Sequence, residues 1–170
     1  MMGIHKDAWK EGPMNYITMD VTKCVVCRNC EYACAFRQSD DFDRDRSNIR
    51  VEYYGDVRIC LPMTCLQCDD TWCLEVCPAA AIQRNTATGA VEINSQRCVG
   101  CKMCSLACPF GNIHFDHEHQ VSRKCDLCQG EPACVKFCIS GALQYTTGAS
   151  AYQNNREIFQ RFIDSLQAKA

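Results

Sequence analysis

A chain of 170 residues has room for one compact unit or two small lobes, and a net charge of −2 excludes a basic nucleic-acid-binding surface. Cysteine fills 17 positions and supplies ten of the 47 percentage points of apolar content. The remainder is modest for an ordinary core, so something other than side-chain burial is expected to hold the chain together.

The first twenty residues carry His5, Lys6, Asp7, Lys10 and Glu11 and no apolar run of signal-peptide length. Nothing approaches the ~18 apolar residues of a membrane span. A cytoplasmic location follows as the expectation, with thiols kept reduced and free to bind metal.

Residues 16–20 read as a strand leading into the first cysteine group, Cys24, Cys27, Cys30 and Cys34, spaced x2, x2, x3. Residues 38–47 are polar and charged, an expected exposed loop. Ile49, Val51, Tyr53, Val57 and Ile59 predict a hairpin around Gly55-Asp56. The second group is Cys65, Cys68, Cys73 and Cys77, spaced x2, x4, x3 and followed by Pro78. Residues 81–84 and 90–93 flank Thr88-Gly89 as a second hairpin. The third group, Cys98, Cys101, Cys104 and Cys108, repeats the x2, x2, x3 spacing and ends in Pro109; residues 113–115 and 120–121 suggest a third hairpin.

The fourth group is Cys125, Cys128, Cys134 and Cys138, spaced x2, x5, x3, with a strand expected at 142–145. The groups begin 41, 33 and 27 residues apart, an irregular repeat of loop, one helical turn and strand. From Tyr152 onward, Ile158, Phe159, Phe162, Ile163 and Leu166 mark one face of an amphipathic helix, which packs on its own domain or docks on a partner.

The C-x2-C-x2-C-x3-C-P run is the one bacterial ferredoxins use for iron–sulfur clusters. Three thiolates two residues apart reach three corners of a cubane from one tight loop. The fourth lies beyond a helical turn and serves a second cluster. Disulfides suit neither the N-terminus nor such close cysteines, and zinc needs only two C-x2-C pairs, leaving the third and fourth cysteines of every group surplus.

There is no nucleophile–base pair, phosphate loop or dinucleotide fingerprint, so the expected role is electron transfer without catalysis. Cys60, the seventeenth thiol, reads as a small buried hydrophobe and not a ligand. His114, His117 and His119 read as a solvated hairpin tip. Lys23, Arg28, Arg97, Lys102, Lys124 and Lys136 are placed to offset cluster charge, as are backbone N–H groups aimed at sulfur, and Gly100 permits close approach.

The order of spacings over residues 16–147, with Lys124-Cys125-Asp126-Leu127-Cys128 and Gly141-Ala142-Leu143, resembles the sixteen-cysteine electron-transfer subunits of molybdenum and tungsten oxidoreductases, of the dimethyl sulfoxide reductase and formate dehydrogenase groups. Similar small proteins serve carbon monoxide dehydrogenase, hydrogenase and tungsten aldehyde oxidoreductase.

The resemblance implies an α+β fold of two ferredoxin-like lobes, each with two 4Fe-4S clusters, one lobe inserted in the other. Residues 16–59 with 116–147 would form lobe one and residues 60–115 lobe two, between an N-terminal extension (1–15) and a helical tail (148–170). It implies four ligand sets: Cys24, Cys27, Cys30 and Cys138; Cys125, Cys128, Cys134 and Cys34; Cys65, Cys68, Cys73 and Cys108; Cys98, Cys101, Cys104 and Cys77. Ala35 and Ile139 depart from the family by standing where proline often follows the fourth cysteine.

The implied function is a four-cluster wire between a molybdenum- or tungsten-pterin subunit and an electron acceptor or donor, a further subunit or another copy of the chain, without nucleic acid or a membrane span. The alternatives are a free polyferredoxin shuttling electrons among hydrogenase or carbon monoxide dehydrogenase type enzymes, and a zinc-bound interaction module. Without its metal the chain is expected to be largely unstructured.

Overall fold

Short alternating apolar stretches between turns give, among the described residues, eight strands in four antiparallel pairs. The computed structural model describes residues 14–56 and 58–167, so the expectations for residues 1–13 and for Val57 lie outside the described residues. Strand β1 (Asn15–Met19) pairs with β8 (Leu143–Thr147), Ile17 opposite Tyr145, and ties together the two ends of the cysteine-bearing region. The other pairs are local hairpins: β2 (Ile49–Tyr54) with β3 (Ile59–Thr64), β4 (Ile82–Arg84) with β5 (Val91–Ile93), and β6 (His114–Asp116) with β7 (Val121–Arg123). All three expected hairpins form where the alternation put them. The second strand of the first runs further than expected, to Thr64.

Among the described residues five α-helices occur, four after the cysteine loops and one after β8. They are α1 (Asn29–Ser39), α2 (Trp72–Glu75), α3 (Met103–Ala107), α4 (Ala133–Lys136) and α5 (Ala149–Gln167). A single turn was expected after each loop, and α1 instead runs 11 residues. The cause is local. Proline forces the residue before it out of the helical region, and Cys108 before Pro109 is extended (φ −80, ψ 110). Ala35 sets no such limit and α1 continues through Cys34, whereas α4 ends at Lys136 although Ile139 also stands in place of the proline; the missing proline permits the longer helix without dictating it. Helix α1 packs against α4, and α2 against α3.

The segment 38–47 is not wholly an exposed loop. Arg44–Arg46 form a 3-10 turn whose Asp43 carboxylate accepts the Asp45 N–H at 3.0 Å, and Ser47 is fully buried. The buried Glu31 carboxylate accepts the Val51 N–H at 2.7 Å and pairs with Arg28 (3.3 Å) and Arg44 (3.2 Å), fastening α1 to β2. Tyr16, Ile17, Ile49, Val51, Leu66, Leu127 and Leu143 form the main apolar cluster; Ile82, Val91 and Ile113 form a smaller one. Thiols belong to both, among them Cys30, Cys34, Cys125 and Cys134 in the first and Cys104 in the second.

Helix α5 begins at Ala149, three residues before the expected start at Tyr152, and lies against β1. Ile158 and Ile163 pack on the main cluster; the Phe159, Phe162 and Leu166 side chains lie outside the described residues. The contact is fixed by a polar residue. Asn155, fully buried, accepts the Met19 N–H (3.3 Å) and donates to the Ile17 carbonyl (2.8 Å), which satisfies main-chain groups of β1 beyond its pairing with β8. N155A leaves both without a partner and is expected to cost about 2 kcal/mol in denaturant unfolding. Q153A, two residues earlier and on the exposed face, is expected to change stability by less than about 0.5 kcal/mol.

Candidate metal centres

The four cysteine loops share a backbone device. The residue before the second cysteine is left-handed in every group: Val26 (φ 57), Gln67 (φ 49), Gly100 (φ 69) and Leu127 (φ 57). In the first, third and fourth groups the residue after it, Arg28 (φ 61), Lys102 (φ 62) or Gln129 (φ 59), is left-handed too, and in the fourth so is Cys128 itself (φ 49). Only glycine adopts this backbone freely; other residues lose about 1–2 kcal/mol each, and a β-branched Val26 there is a true outlier. In the first and third groups left- and right-handed residues alternate, which turns successive N–H groups inward, the concave nest that binds anions and iron–sulfur centres.

These loops gather the thiols around three cavities and one buried cluster. Cys24, Cys27, Cys30 and Cys138, the first candidate site, line one pocket with Arg28, Val51 and Pro62. Cys125, Cys128, Cys134 and Cys34 are the second candidate site; all are buried, and the first two and Cys34 all act electrostatically on Cys134. Cys65, Cys68, Cys73 and Cys108, the third candidate site, line a pocket with Trp72, Asn112 and Lys124. Cys98, Cys101, Cys104 and Cys77, the fourth candidate site, line a pocket with Ile82, Lys102 and Ser122.

In each site three cysteines come from one group and one from another. Helix α1 does this directly. Cys30 and Cys34 stand one turn apart, about 6 Å along the axis, and face different sites.

The chemistry of the donors fits a sulfur-rich anionic group. All seventeen cysteines are free thiols. Backbone N–H groups of Asn48, Ala81, Asn112, Ser122 and Gln67 donate to the sulfurs of Cys34, Cys77, Cys108, Cys98 and Cys65 at 3.3–3.4 Å. The Asn112 amide nitrogen and Ser122 hydroxyl, lining the third and fourth cavities, are buried with no hydrogen-bond partner among the described residues. Zinc demands a tighter cage. Four sulfurs at about 2.3 Å from one ion stand roughly 3.8 Å apart. Among the described residues the groups of three or more ligand atoms mutually within 4.8 Å contain no cysteine; the group found is Asp116, Glu118 and His119.

That group sits on the exposed β6–β7 turn, where His119 Nδ1 lies 2.9 Å from the Asp116 carboxylate and Glu118 pairs with Arg46. His117 and His119 are at the solvated tip as expected. His114 is not: it is half-buried on β6, where burial and the charges of Arg50 and Arg123 hold its pKa down to about 4. Cys60 is half-exposed on β3 opposite Tyr53, and its charge reaches Cys24. Of the six basic residues singled out in the sequence, Lys124 alone is buried. Lys102 stands over the Phe115 ring at 4.0 Å and Lys23 pairs with Asp20 at 3.0 Å.

Gln67 carries a role that the cysteine pattern conceals. Fully buried between two cysteines, it donates to the Cys125 carbonyl (3.0 Å) and accepts the Val91 N–H (2.8 Å), joining two loops. A polar residue inside an otherwise apolar C-x2-C pair was the available signal.

Burial pushes the metal-free thiols up: Cys30 to about 12, with the Glu31 charge adding to it, Cys125 to about 12 and Cys73 to about 11. At neutral pH they hold their protons, and a protonated thiol is no ligand. Loading with iron therefore releases protons, and it strengthens as pH rises from 7 to 9. Anaerobic reconstitution in weak buffer, followed with a pH electrode, is expected to acidify the solution; no acidification would refute it.

Gly100 supplies a second test. A Cβ there would lie 2.5 Å from the Gln120 carbonyl oxygen, whereas one at Gly111, of similar φ (+65), meets nothing within 4 Å. G111A is expected to cost about 1 kcal/mol, the left-handed penalty alone, and G100A clearly more, measured by thermal unfolding of the loaded protein.

The model of the 4Fe-4S dicluster domain matches residues 57–147. The electron transport protein YsaA of Escherichia coli (strain K12) is 39% identical over 139 residues, covering 76% of this chain and 87% of its own length. The aliphatic sulfonate oxidoreductase polyferredoxin-like subunit of Pyrococcus furiosus is 34% identical, covering 91% and 88%. Subunit beta of the NADH-dependent phenylglyoxylate dehydrogenase of Aromatoleum evansii is 36% identical over 80% of this chain, a match spanning 31% of that subunit. Among solved structures, a chain of the BamBC active site complex of benzoyl coenzyme A reductase aligns with a TM-score of 0.48 at 22% identity, over 92% of this chain and 91% of that one. The nested, thiol-lined loops and the sequence relatives together mean that the chain belongs to the 4Fe-4S dicluster domain family of iron–sulfur electron-transport proteins.

Proposed function

We propose that this chain is a non-catalytic electron-transfer subunit whose sixteen cysteines, Cys60 excluded, hold four 4Fe-4S clusters at the four sites. The observation that carries the reading is the convergence of the thiols four by four, three from one group and one from another. When bound, each cluster takes up and returns one electron, spreading the change in valence over its irons. The thiol cages hold their shape, and the N–H groups aimed at sulfur stabilise added negative charge.

The neighbours of individual thiols support a linear order. Cys30 of the first site acts on Cys134 of the second, Cys65 of the third on Cys125 of the second, and Cys104 of the fourth on Cys73 of the third. The sites then run first, second, third, fourth. Cys27 and Cys101 at the two ends are exposed, while the second site is buried throughout. Exposed apolar side chains rim both ends: Val25 and Ile139 beside the first site, Val99, Met103 and Leu106 beside the fourth. A carrier of this shape has two docking ends. In this reading the first and second sites make lobe one and the third and fourth make lobe two, and the pairing of β3 with β2 favours a lobe boundary after Thr64 over one after Ile59.

The proposed partner at one end is a large molybdenum- or tungsten-pterin oxidoreductase subunit, of which an aldehyde-oxidoreductase-like enzyme is one form. A further electron-accepting subunit or another copy of this chain takes the other end. The Pyrococcus furiosus relative, a polyferredoxin-like subunit by name, aligns over nearly its whole length and supports the subunit reading. The Escherichia coli relative, named for electron transport alone, favours the second reading of a free polyferredoxin serving hydrogenase or carbon monoxide dehydrogenase type enzymes.

Anaerobic purification from the native source separates the two. The subunit reading requires a stoichiometric large chain with a metal–pterin cofactor, and a lone brown protein favours the free carrier. Both require about sixteen iron atoms per chain and paramagnetic resonance signals after dithionite. A colourless, silent protein overturns both.

A further inference from the structure

Lys124 is the second most unusual residue of the chain after the cysteines. It is 4% exposed, and its ammonium donates to the carbonyls of Val91 and Cys125 (3.0 Å for the latter), with the Cys65 side chain close enough to act on its charge. Among the described residues no carboxylate forms an ion pair with it. A buried ammonium with only neutral carbonyls beside it is strongly unfavourable, and a chain keeps one where a negative group lies close by.

The side chain is placed between two sites. It lines the cavity of the third site, and Cys65 and Cys73 act on it from that side. From the other side Cys125, its neighbour in sequence and a member of the second site, supplies a carbonyl acceptor and, once ligated, sulfur charge. Gln67 ties the same Cys125 carbonyl and the Val91 N–H together, so the ammonium cannot shift toward either site without breaking this buried set.

We infer that Lys124 is a fixed cation shared by the clusters of the second and third sites, stabilising the reduced form of both and matching their potentials where electrons cross between the two lobes. This rests on the proposed four-cluster reading. Its role is positioning: it touches sulfur ligands and acts on the irons through them. A unit charge in a low-dielectric interior favours the more negative, reduced state of every cluster near it and fades with distance, so the first and fourth sites are affected least.

The test is a dithionite redox titration of the full, anaerobically loaded chain, monitored by paramagnetic resonance with iron counted alongside. K124M is expected to shift two of the four couples toward the oxidised form by tenfold or more, about 59 mV per tenfold for one electron. The other two couples stay put, and K124R stays near wild type. Four unmoved couples, a shift in only one, or an equal shift in all four overturns the inference. Where K124M does not hold its full iron, loss confined to two sites upholds it, and loss from one site or from all four overturns it. A wild-type protein with well under sixteen iron fails the function reading instead, before any variant is compared.

Discussion

The constraint on which this structure depends is that no cysteine group completes a site by itself. Each tight loop presents three thiols, and the fourth thiol of its group faces another site. Segments far apart in the chain must therefore meet before any site exists. The β1–β8 pairing brings the first group to the fourth, and the contact of α2 with α3 brings the second to the third. With strands of three to six residues and one main apolar cluster, the polypeptide has little else to fix these meetings. Metal ligation supplies folding energy in such a chain, because each bound group cross-links two distant loops.

A second consequence is strain. Left-handed residues recur at one position in all four loops, yet glycine fills it only once, at Gly100. Glycine at every position would relieve the backbone and leave the unfolded chain with more entropy to lose. Side chains also do something there. Leu127 and Gln67 are among the most buried residues of the molecule, one filling the main cluster and the other bridging loops. The sequence accepts a local cost of about 1–2 kcal/mol per left-handed residue because some of the same residues close the protein around its sites.

Much of this was legible in the residues. Alternation located the three hairpins, cysteine spacing located the loops, and a stripe at three and four located α5. The length of α1 was misjudged because proline is read as a stop signal, while its absence after Cys34 was weighed only for its effect on the site. Glu31, Gln67 and Asn155 were missed for a common reason. Each is a single polar residue whose partners are backbone groups 20, 24 or more than 130 residues away. Such contacts leave no periodic trace, and composition places these residues on the surface by default. His114 shows the same limit, since its spacing from His117 and His119 says nothing about the two arginines beside it.

The sites also differ in how negative charge is met, and the difference follows depth. At the first and fourth sites an exposed thiol lets water share the task, and the nearby basic side chains, Lys102 and Arg28, are themselves partly or fully exposed. At the second site water has no access, and the compensation has to come from fixed groups: the Asn48 N–H on Cys34 and a buried ammonium against Cys125. Fixed dipoles and charges do not reorient when an electron arrives, so an interior built this way has a small reorganisation cost, whereas the wet ends adjust to whatever docks there. If the sites run in the proposed order, a dry, preorganised second site inside the chain is what a relay needs for that interior step to stay fast whichever partner is bound.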